Sequence, residues 1–329
     1  MKSWSIDVAV LLIFFVRDET FSRVFQEVKK ARPRQLLLWQ DGPRENHPHD
    51  LEGIKKCREI ALDIDWECEV YTHFNEKNYG CDPSTFYADK WAFSIVDKCI
   101  VLEDDQLPTQ SFFVFCKELL DRYEHDNRIS HICGHNFIGG AKWCPNDYLF
   151  AYTGTGAWAS WRRVAKQWDE EYSFLDNDYD ILNLEFHFGN RSKEWIEYST
   201  RHRKSGKAHW ESILGMGEHL NSQYAIIPKI NMVQNIGITP NATHSSFIED
   251  MALLPKSSMR FFEKAEEISF PLVHPTAVLP DKEYVLKSEK LSQSSTIKTL
   301  SNRIEMTINI LKNRRVDLLK RLILKKLKK

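Results

Sequence analysis

Short apolar runs alternate along this chain with segments whose apolar positions keep helical spacing. Val8–Val16 and Gln35–Trp39 predict two buried strands, and the apolar positions from 21 to 28 between them share one helical face. The alternation continues with predicted helices at 50–62, 85–96 and 110–123 and predicted strands at 66–71, 99–102 and 129–133. Strands joined by helices favour parallel pairing with right-handed crossovers. The sequence therefore predicts an α/β fold with a mainly parallel sheet flanked by helices.

The pattern changes after residue 163. Residues 164–222 are more charged, and they contain predicted helices at 177–188 and 208–221 before a strand at 224–227. Prolines from Pro271 onwards and a serine-rich stretch predict a linker over 271–297. We therefore expect one large domain at 1–270, this linker, and a C-terminal helix at 298–329.

The C-terminal segment differs from the rest of the chain in charge. Residues 298–329 carry eleven Lys or Arg side chains against Glu305 and Asp317, so this tail is basic and the remainder of the chain is acidic. Five apolar positions of the tail share one helical face: Ile304, Ile308, Leu311, Leu318 and Leu322. A basic amphipathic helix suits an anionic membrane surface. Packing on the large domain or on a partner subunit, or a solvated tail, are the alternatives; the lack of aromatic residues argues against nucleic-acid binding.

Other features limit the classes of protein that the sequence allows. Seven cysteines without a Cys-x-x-Cys pair indicate reduced thiols in a cytosolic compartment and argue against a zinc site. The apolar run Val8–Val16 is too short to span a bilayer, and no small-residue cleavage site follows it. No Gly-x-Gly-x-x-Gly or Walker A sequence follows a predicted strand, so a nucleotide would have to be held in another way.

Three adjacent carboxylates, Glu103, Asp104 and Asp105, follow the predicted strand at 99–102. Ligand crevices of open α/β sheets lie at the carboxyl ends of the strands, so these side chains stand where a site is expected. Close carboxylates repel one another by about 4 kcal/mol per pair unless a cation is present. Hard oxygen ligands suit Mg²⁺ or Mn²⁺, and such a cation suits a diphosphate. A solvated acidic turn is the alternative.

These motifs, taken in order, resemble those of a known family. The loop Asn78–Gly80 precedes the acidic strand, and a loop rich in glycine and tryptophan, Tyr152–Arg163, follows it. The chain resembles GT-A fold glycosyltransferases, in particular bacterial family 2-like sugar transferases related to the N-acetylglucosaminyltransferase that starts complex N-glycans. The resemblance covers residues 8–250, and its most specific parts are Leu102–Phe113 and Asn231–Gly237 with Ala242–His244. It implies a mixed, mainly parallel Rossmann-like sheet.

The resemblance implies a donor site for a nucleotide sugar, expected to be a UDP-sugar. Arg17 and Asp41 would hold the nucleotide, with Asp41 accepting a hydrogen bond from the base, and Lys90 would lie near the diphosphate. Glu103 and Asp104 would face the donor sugar and ribose, and Asp104 is included among the catalytic residues.

The resemblance also implies a metal site and a catalytic base. Asp105 would bind Mn²⁺ or Mg²⁺ directly. His244 would complete the metal shell or contact the diphosphate, although a loop histidine bonded to backbone is the alternative. Glu211, after Trp210, falls where relatives have an acidic base, and an exposed helix carboxylate is the other interpretation.

A metal on the leaving diphosphate and a base opposite the anomeric carbon would give a single displacement that inverts the sugar. Asp169 or Glu170 is the second choice for the base. His135 and Asn136 follow another predicted strand and are candidates for acceptor contacts. In the Trp-rich loop, Trp158 could belong to a platform for a sugar or to a packed core turn.

The sequence thus favours a metal-dependent glycosyltransferase that makes a surface polysaccharide or glycolipid on a saccharide or lipid-linked acceptor. We expect it in the cytoplasm, peripheral on the inner face of the cell membrane. A sugar nucleotidyltransferase is one alternative, but the segment after Arg17 lacks the glycine-rich basic loop that such enzymes usually show. A catalytically inactive carbohydrate-binding protein on the same fold is another. The sugar, the acceptor and the linkage are not specified by these motifs.

Overall fold

The structure, a computed structural model, describes residues 2–154, 156–237, 262–292 and 296–312. Its strands are β1 (Ile6–Phe14), β2 (Pro33–Gln40), β3 (Glu69–Phe74), β4 (Lys98–Glu103), β5 (Gln106–Pro108), β6 (Ile129–Cys133), β7 (Tyr148–Ala151), β8 (Trp158–Trp161), β9 (Tyr224–Pro228) and β10 (Val233–Asn235). Its α-helices are α1 (Asp18–Ala31), α2 (Asp50–Ala61), α3 (Cys81–Ile95), α4 (Gln110–Arg122), α5 (Arg162–Ala165), α6 (Asp178–Phe188), α7 (Asn190–Ser205), α8 (Trp210–Leu220), α9 (Lys282–Ser292) and α10 (Thr296–Lys312). A 3₁₀ helix occupies Ser173–Asp176.

An eight-stranded sheet forms the centre of the molecule, with the strand order β3-β2-β1-β4-β8-β6-β9-β7. Strands β1 to β4 pair in parallel, as do β6 and β9, while β8 and β7 run antiparallel to their neighbours. Val10, Leu11 and Leu12 of β1 have no exposed surface, as expected of a strand with helices on both faces. The predicted α/β fold with a mixed, mainly parallel sheet is confirmed.

A second, two-stranded sheet determines where the site forms. Strand β5 follows the turn after β4 and pairs antiparallel with β10, with Leu107 opposite Gln234. The backbone N–H of Ile236 then donates to the carbonyl oxygen of Asp105, at 2.8 Å. The segment 233–237 is therefore anchored on the turn at the end of β4, residues 103–105, which we call the acidic turn.

Several predicted elements have different boundaries or surroundings in the structure. Strand β3 begins at Glu69, later than the predicted strand at 66–71, and helix α7 was not predicted. The segment 271–297, predicted as a linker, contains α9, whose Tyr284 is buried. Trp158 is buried and its ring is stacked on Trp210, so it belongs to the packed core and not to an open platform. Within the described ranges, no helix is long and apolar enough to cross a bilayer.

Candidate functional site

The parallel strands bring several of the predicted site residues to one edge of the sheet. Arg17 follows β1, Asp41 follows β2, and Glu103 ends β4. Because β2, β1 and β4 are neighbours in the sheet and run in the same direction, their carboxyl ends lie side by side. Residues far apart in the sequence therefore meet at the place where the sequence predicted a site.

Arg17 holds the two aspartates of the acidic turn with its guanidinium group. Nη1 donates to Asp105 Oδ2 at 2.8 Å, and Nη2 donates to Asp104 Oδ1. The backbone N–H of Phe15 adds a bond to Asp104 Oδ2 at 3.3 Å. Burial by itself would lower the pKa of Arg17, but the charges of Asp104 and Asp105 outweigh it and the pKa is raised. A fixed cation thus lies among the carboxylates.

In this turn, the pKa of Glu103 departs strongly from its ordinary value. Burial, followed by the charges of Asp105 and Asp104, raises the pKa of Glu103 to about 8, although Arg17 acts in the opposite direction. Burial likewise raises the pKa of Asp104. A carboxyl group with a pKa of about 8 is largely protonated at neutral pH, so Glu103 would ionise there only if further positive charge entered the turn.

Asp41 organises the loop that follows β3. Its carboxylate accepts backbone N–H groups of Gly42, Tyr79 and Gly80, at 3.0 to 3.2 Å. The side chain of Asn78 adds a bond to the carbonyl oxygen of Gly42, at 2.9 Å. Burial raises the pKa of Asp41, against the lowering effect of these N–H donors. The carboxylate that the resemblance assigns to a nucleotide base is thus bonded to the protein's own backbone.

A cleft lies between these groups, and we call it the acidic cleft. Its lining includes the segment after β1, the acidic turn and the first turn of α3, with the polar side chains Arg17, Asp41, Arg44, Asn78, Ser84, Thr85, Glu103 and Asp104. The cavity volume is about 170 Å³. Arg44 is held by Asp50, whose carboxylate accepts from Arg44 Nε at 2.8 Å. Two guanidinium groups and the start of a helix therefore face the same space.

A second cavity lies beyond the first turn of α3, and we call it the histidine cavity. Its volume is about 380 Å³. It is lined by Asp82, Thr153, Gly154, Trp195, Tyr198, His202, His209, Glu211, Ser212, Leu214, Gly215, Met216, Glu218 and His219. Cys81 lines the acidic cleft and Asp82 lines the histidine cavity, so the two spaces adjoin. The charge of Glu211 contributes to the raised pKa of Glu103, which is a further sign of their proximity.

The structure does not bring Lys90 to the acidic cleft. Lys90 Nζ donates to both carboxylate oxygens of Glu170, at 2.9 and 3.2 Å, on the protein surface. The residues of α3 that line the cleft end at Thr85, and Lys90 lies five residues further along, about 8 Å along the axis. Asp169, the other second-choice base, accepts from the backbone and side chain of Ser173 and so caps a turn.

Two further predicted residues, His135 and Asn136, lie beyond the carboxyl end of β6. Asn136 donates to the carbonyl oxygen of Pro228 at 2.7 Å and shapes its own loop. His135 is buried, neither ring nitrogen has a hydrogen-bond partner among the described residues, and burial lowers its pKa to about 4. Its ring is stacked on Phe137. Asn136 is therefore bonded within its own loop, and His135 is packed inside the protein.

The sequence analysis did not predict a role for Asp89, which lies on α3 close enough to Glu103 to feel its charge. Asp89 is fully buried and neither carboxylate oxygen has a hydrogen-bond partner among the described residues. Burial, with a smaller effect of Glu103, raises its pKa well above the ordinary value. A signal was present, because Asp89 falls three and four residues from Phe86 and Phe93 on the buried face of the helix.

The fit of a divalent cation depends on the oxygen ligands at this edge. No group of three or more Asp, Glu, His or Cys side chains in the described part of the chain is arranged to hold a metal. His244 lies outside the described residues. Mg²⁺ is nevertheless commonly held by one or two carboxylates together with substrate phosphates. Asp105 is a ligand of that kind, and the negative charge of the turn favours a cation.

Comparisons with known proteins leave the family open. No protein-family model matches the sequence, and no curated protein does. One solved structure that matches is a UDP-glucose pyrophosphorylase complexed with UDP-glucose, at 8% sequence identity and a TM-score of 0.35. The match covers 69% of this chain and 92% of that chain. A likeness this slight carries no argument about function.

Proposed function

We propose that this protein is a glycosyltransferase of the GT-A type, which moves a sugar from a nucleoside diphosphate donor to a saccharide or lipid-linked acceptor. One observation carries the proposal: the acidic cleft and the histidine cavity adjoin at the first turn of α3. Sugar transfer needs a place for a leaving diphosphate beside a place where an acceptor meets a base. Arg17 and the acidic turn lie at the proposed place for the diphosphate, and Glu211 lies at the proposed place for the acceptor.

The donor nucleotide lies in the acidic cleft. Arg17 and Arg44 offer guanidinium groups, which suit phosphate oxygens, and the α3 N-terminus adds the positive end of a helix dipole. Asp41 fixes the backbone of residues 79–80 by hydrogen bonds. This backbone lies beside the nucleotide base. A UDP-sugar is the expected donor.

Asp105 would hold a divalent cation together with the phosphates of the donor. Mn²⁺ or Mg²⁺ bound at Asp105 would act as a Lewis acid that neutralises charge on the leaving group. Arg17 fixes the Asp105 carboxylate in one orientation through its 2.8 Å bond. Asp104 adds negative charge beside Asp105, and a cation at this turn would favour the ionised form of Glu103. His244 is the second ligand that we assign to the metal.

Glu211 acts as the base. It takes the proton of an acceptor hydroxyl, while the hydroxyl oxygen forms a bond to the anomeric carbon of the donor. The bond from that carbon to the phosphate oxygen breaks, and the nucleoside diphosphate leaves with the electron pair. Because this is a single displacement, the anomeric configuration inverts.

The test is release of the nucleoside diphosphate from a panel of UDP-sugars, with and without Mn²⁺ and with simple glycosides as acceptors. We expect acceptor-dependent UDP release from one donor. Glu211→Gln should reduce release at least about a hundredfold, the usual effect of removing a general base, and leave donor affinity unchanged. Glu59→Gln is the matched control, since it makes the same chemical change at a 65% exposed carboxylate on α2.

The same assay separates the alternatives. A sugar nucleotidyltransferase would convert the UDP-sugar and pyrophosphate into UTP and a sugar phosphate, with no acceptor needed. A carbohydrate-binding protein without activity would bind ligand and release no nucleotide. If Glu211→Gln loses no more activity than Glu59→Gln, Glu211 is not the base, and a large loss in Glu170→Gln would assign that role to Glu170.

The acceptor side of the proposal includes a membrane. In α10, the predicted apolar side chains Ile304, Ile308 and Leu311 are 44 to 54% exposed, whereas Ile310 on another face is buried. An exposed apolar stripe next to a basic sequence fits the anionic inner face of the cell membrane, where a lipid-linked acceptor would be concentrated. The protein would then be cytoplasmic and peripheral. Leu318 and Leu322 of the same predicted face lie outside the described residues.

A further inference from the structure

Helix α6 (Asp178–Phe188) presents an apolar stripe to solvent. Three large side chains lie on it at spacings of three and four residues: Tyr179 is 70% exposed, Leu182 is 48% exposed and Phe186 is 78% exposed. Another face of the helix packs inward, since Leu184 is buried there. A surface helix of a globular protein normally has one apolar face, turned towards the core. The outer stripe of α6 therefore has the character of a contact surface.

Carboxylates flank this stripe on both sides. On a helical projection, Asp178 and Glu185 fall along one edge of the stripe and Asp180 falls along the other. Asp178 and Glu185 are exposed, and α6 contains no Lys or Arg. An apolar stripe between two acidic edges matches a helix that carries apolar side chains on one face and basic side chains around them.

The chain itself contains a segment of that chemistry at residues 313–329. This segment has eight Lys or Arg side chains against one acid, Asp317. Four of its apolar positions have spacings of three and four residues and would share one face of a helix: Val316, Leu319, Ile323 and Leu327. That face differs from the one proposed for the membrane, to which Leu318 and Leu322 belong. The segment lies outside the part of the chain that the structure describes.

The described chain passes close to α6 before this segment begins. Arg191 Nη2 lies 2.7 Å from Glu289 Oε1, and this ion pair ties α9 to the first turn of α7. Helix α7 begins two residues after α6 ends. As a helix, positions 316–327 would extend about 16 Å, enough to cover the α6 stripe of about 10 Å. Because both surfaces belong to one chain, even a weak contact between them would be populated.

We infer that the outer stripe of α6 is the docking surface for the chain's own segment 313–329. The apolar face of the segment packs on Tyr179, Leu182 and Phe186, and its Lys and Arg side chains lie beside the acidic edges. Exposed ion pairs contribute little one by one, so the apolar contact supplies most of the stabilisation and the charges set the orientation. Docking uses a face of the segment that the membrane interaction does not need, so either can hold without the other.

The experiment is photo-crosslinking of the full-length protein with benzoylphenylalanine at position 186. We expect irradiation to join position 186 to residues 313–329 of the same chain, as identified by mass spectrometry. Benzoylphenylalanine at position 51 is the matched control, since Leu51 is 61% exposed on α2, and it should give no such product. A crosslink between two chains would assign the surface to a second copy and overturn the inference. A product with another segment alone would overturn it as well.

Limited trypsin digestion measures the same contact without a crosslinker. Docking shields the segment, and cleavage follows the undocked population, so Phe186→Ser should speed cleavage after Arg321 about tenfold. Glu185→Lys should speed it by a smaller factor, about threefold, because it reverses one charge of the acidic edge. Leu51→Ser is the matched control and should leave the rate unchanged. Cleavage of Phe186→Ser at the rate of the parent protein would show that the segment does not dock on α6.

Discussion

Gly237 lies directly against the Asp105 carboxylate. A Cβ atom added at Gly237 would overlap Asp105 Oδ2 and stand 3.1 Å from Arg17 Nη1. No larger residue fits there unless the contact between Arg17 and Asp105 is displaced. The segment after β10 therefore sets the position of the acidic turn.

Gly237→Ala should weaken UDP-sugar binding without unfolding the protein. The added methyl group moves a carboxylate that lies at the edge of the acidic cleft, so we expect a loss of affinity of about tenfold or more, measured by calorimetry. Gly217→Ala is the matched control. Gly217 lies in α8 with open space around it, and the same change there should be neutral or stabilise the helix by up to about 1 kcal/mol. Unchanged affinity in Gly237→Ala would contradict the role assigned to Asp105.

Arg17→Ala should destabilise the protein by about 3 kcal/mol, measured by urea unfolding. Removing the guanidinium leaves the buried Asp104 carboxylate without its cation, and breaking one side of a buried ion pair is costly. Adding Asp104→Asn to Arg17→Ala should restore part of the loss, because the uncompensated charge is then gone. If the double variant is no more stable than Arg17→Ala, charge is not the cause.

His135 should make the protein sensitive to acid. Its folded pKa is about 4, whereas in the unfolded chain a histidine binds its proton below about pH 6.5. Falling pH through this window favours the unfolded chain, so His135 contributes stability above about pH 6.5 that is lost towards about pH 4, roughly 3 kcal/mol at most.

His135→Leu should therefore make the free energy of unfolding depend less on pH between about pH 7 and about pH 5. Denaturant unfolding at the two pH values measures the difference. His125→Leu is the matched control, since it makes the same chemical change at an exposed histidine. An identical pH dependence in His135→Leu and the parent protein would exclude this source of acid sensitivity.

The C-terminal helix should bind anionic membranes. We expect the protein to sediment with phosphatidylglycerol vesicles at low salt and to be released by added salt. Leu311→Asp should weaken sedimentation, and truncation after Ser295 should abolish it. Leu279→Asp, at a site that is 70% exposed outside the helix, should change nothing. Failure of the full chain to bind at low salt would exclude the membrane interaction.

The sheet and the acidic edge could be predicted because their signals are local. Strands β1, β2 and β4 each contain an uninterrupted apolar run, and parallel strands place Arg17, Asp41 and Glu103 at one edge once the α/β pattern is recognised. Strand β6 was predicted with its observed boundaries, Ile129–Cys133. Helix α7 escaped prediction because it is highly polar and only Ser192 and Ser199 are buried along it.

The remaining features depend on contacts between distant parts of the chain. The resemblance placed Lys90 near the diphosphate, but Lys90 lies beyond the α3 residues that line the cleft and pairs with Glu170. The histidine cavity joins Asp82 on α3 with His209 before α8, and no sequence spacing indicates that contact. The fit of Gly237 against Asp105 likewise depends on the pairing of β5 with β10.

The pairing of β5 with β10 also has a consequence for the order in which the chain folds. As the ribosome makes the protein, strands β1 to β4 and their helices can assemble before residues 233–237 exist, because their contacts are with nearby segments. The acidic turn would at that stage lack the strand that later fixes it. Under the proposed function, the ability to bind the donor would arise only late in synthesis, when β10 pairs with β5. Chains truncated before β10 would then be partly folded and unable to bind the donor.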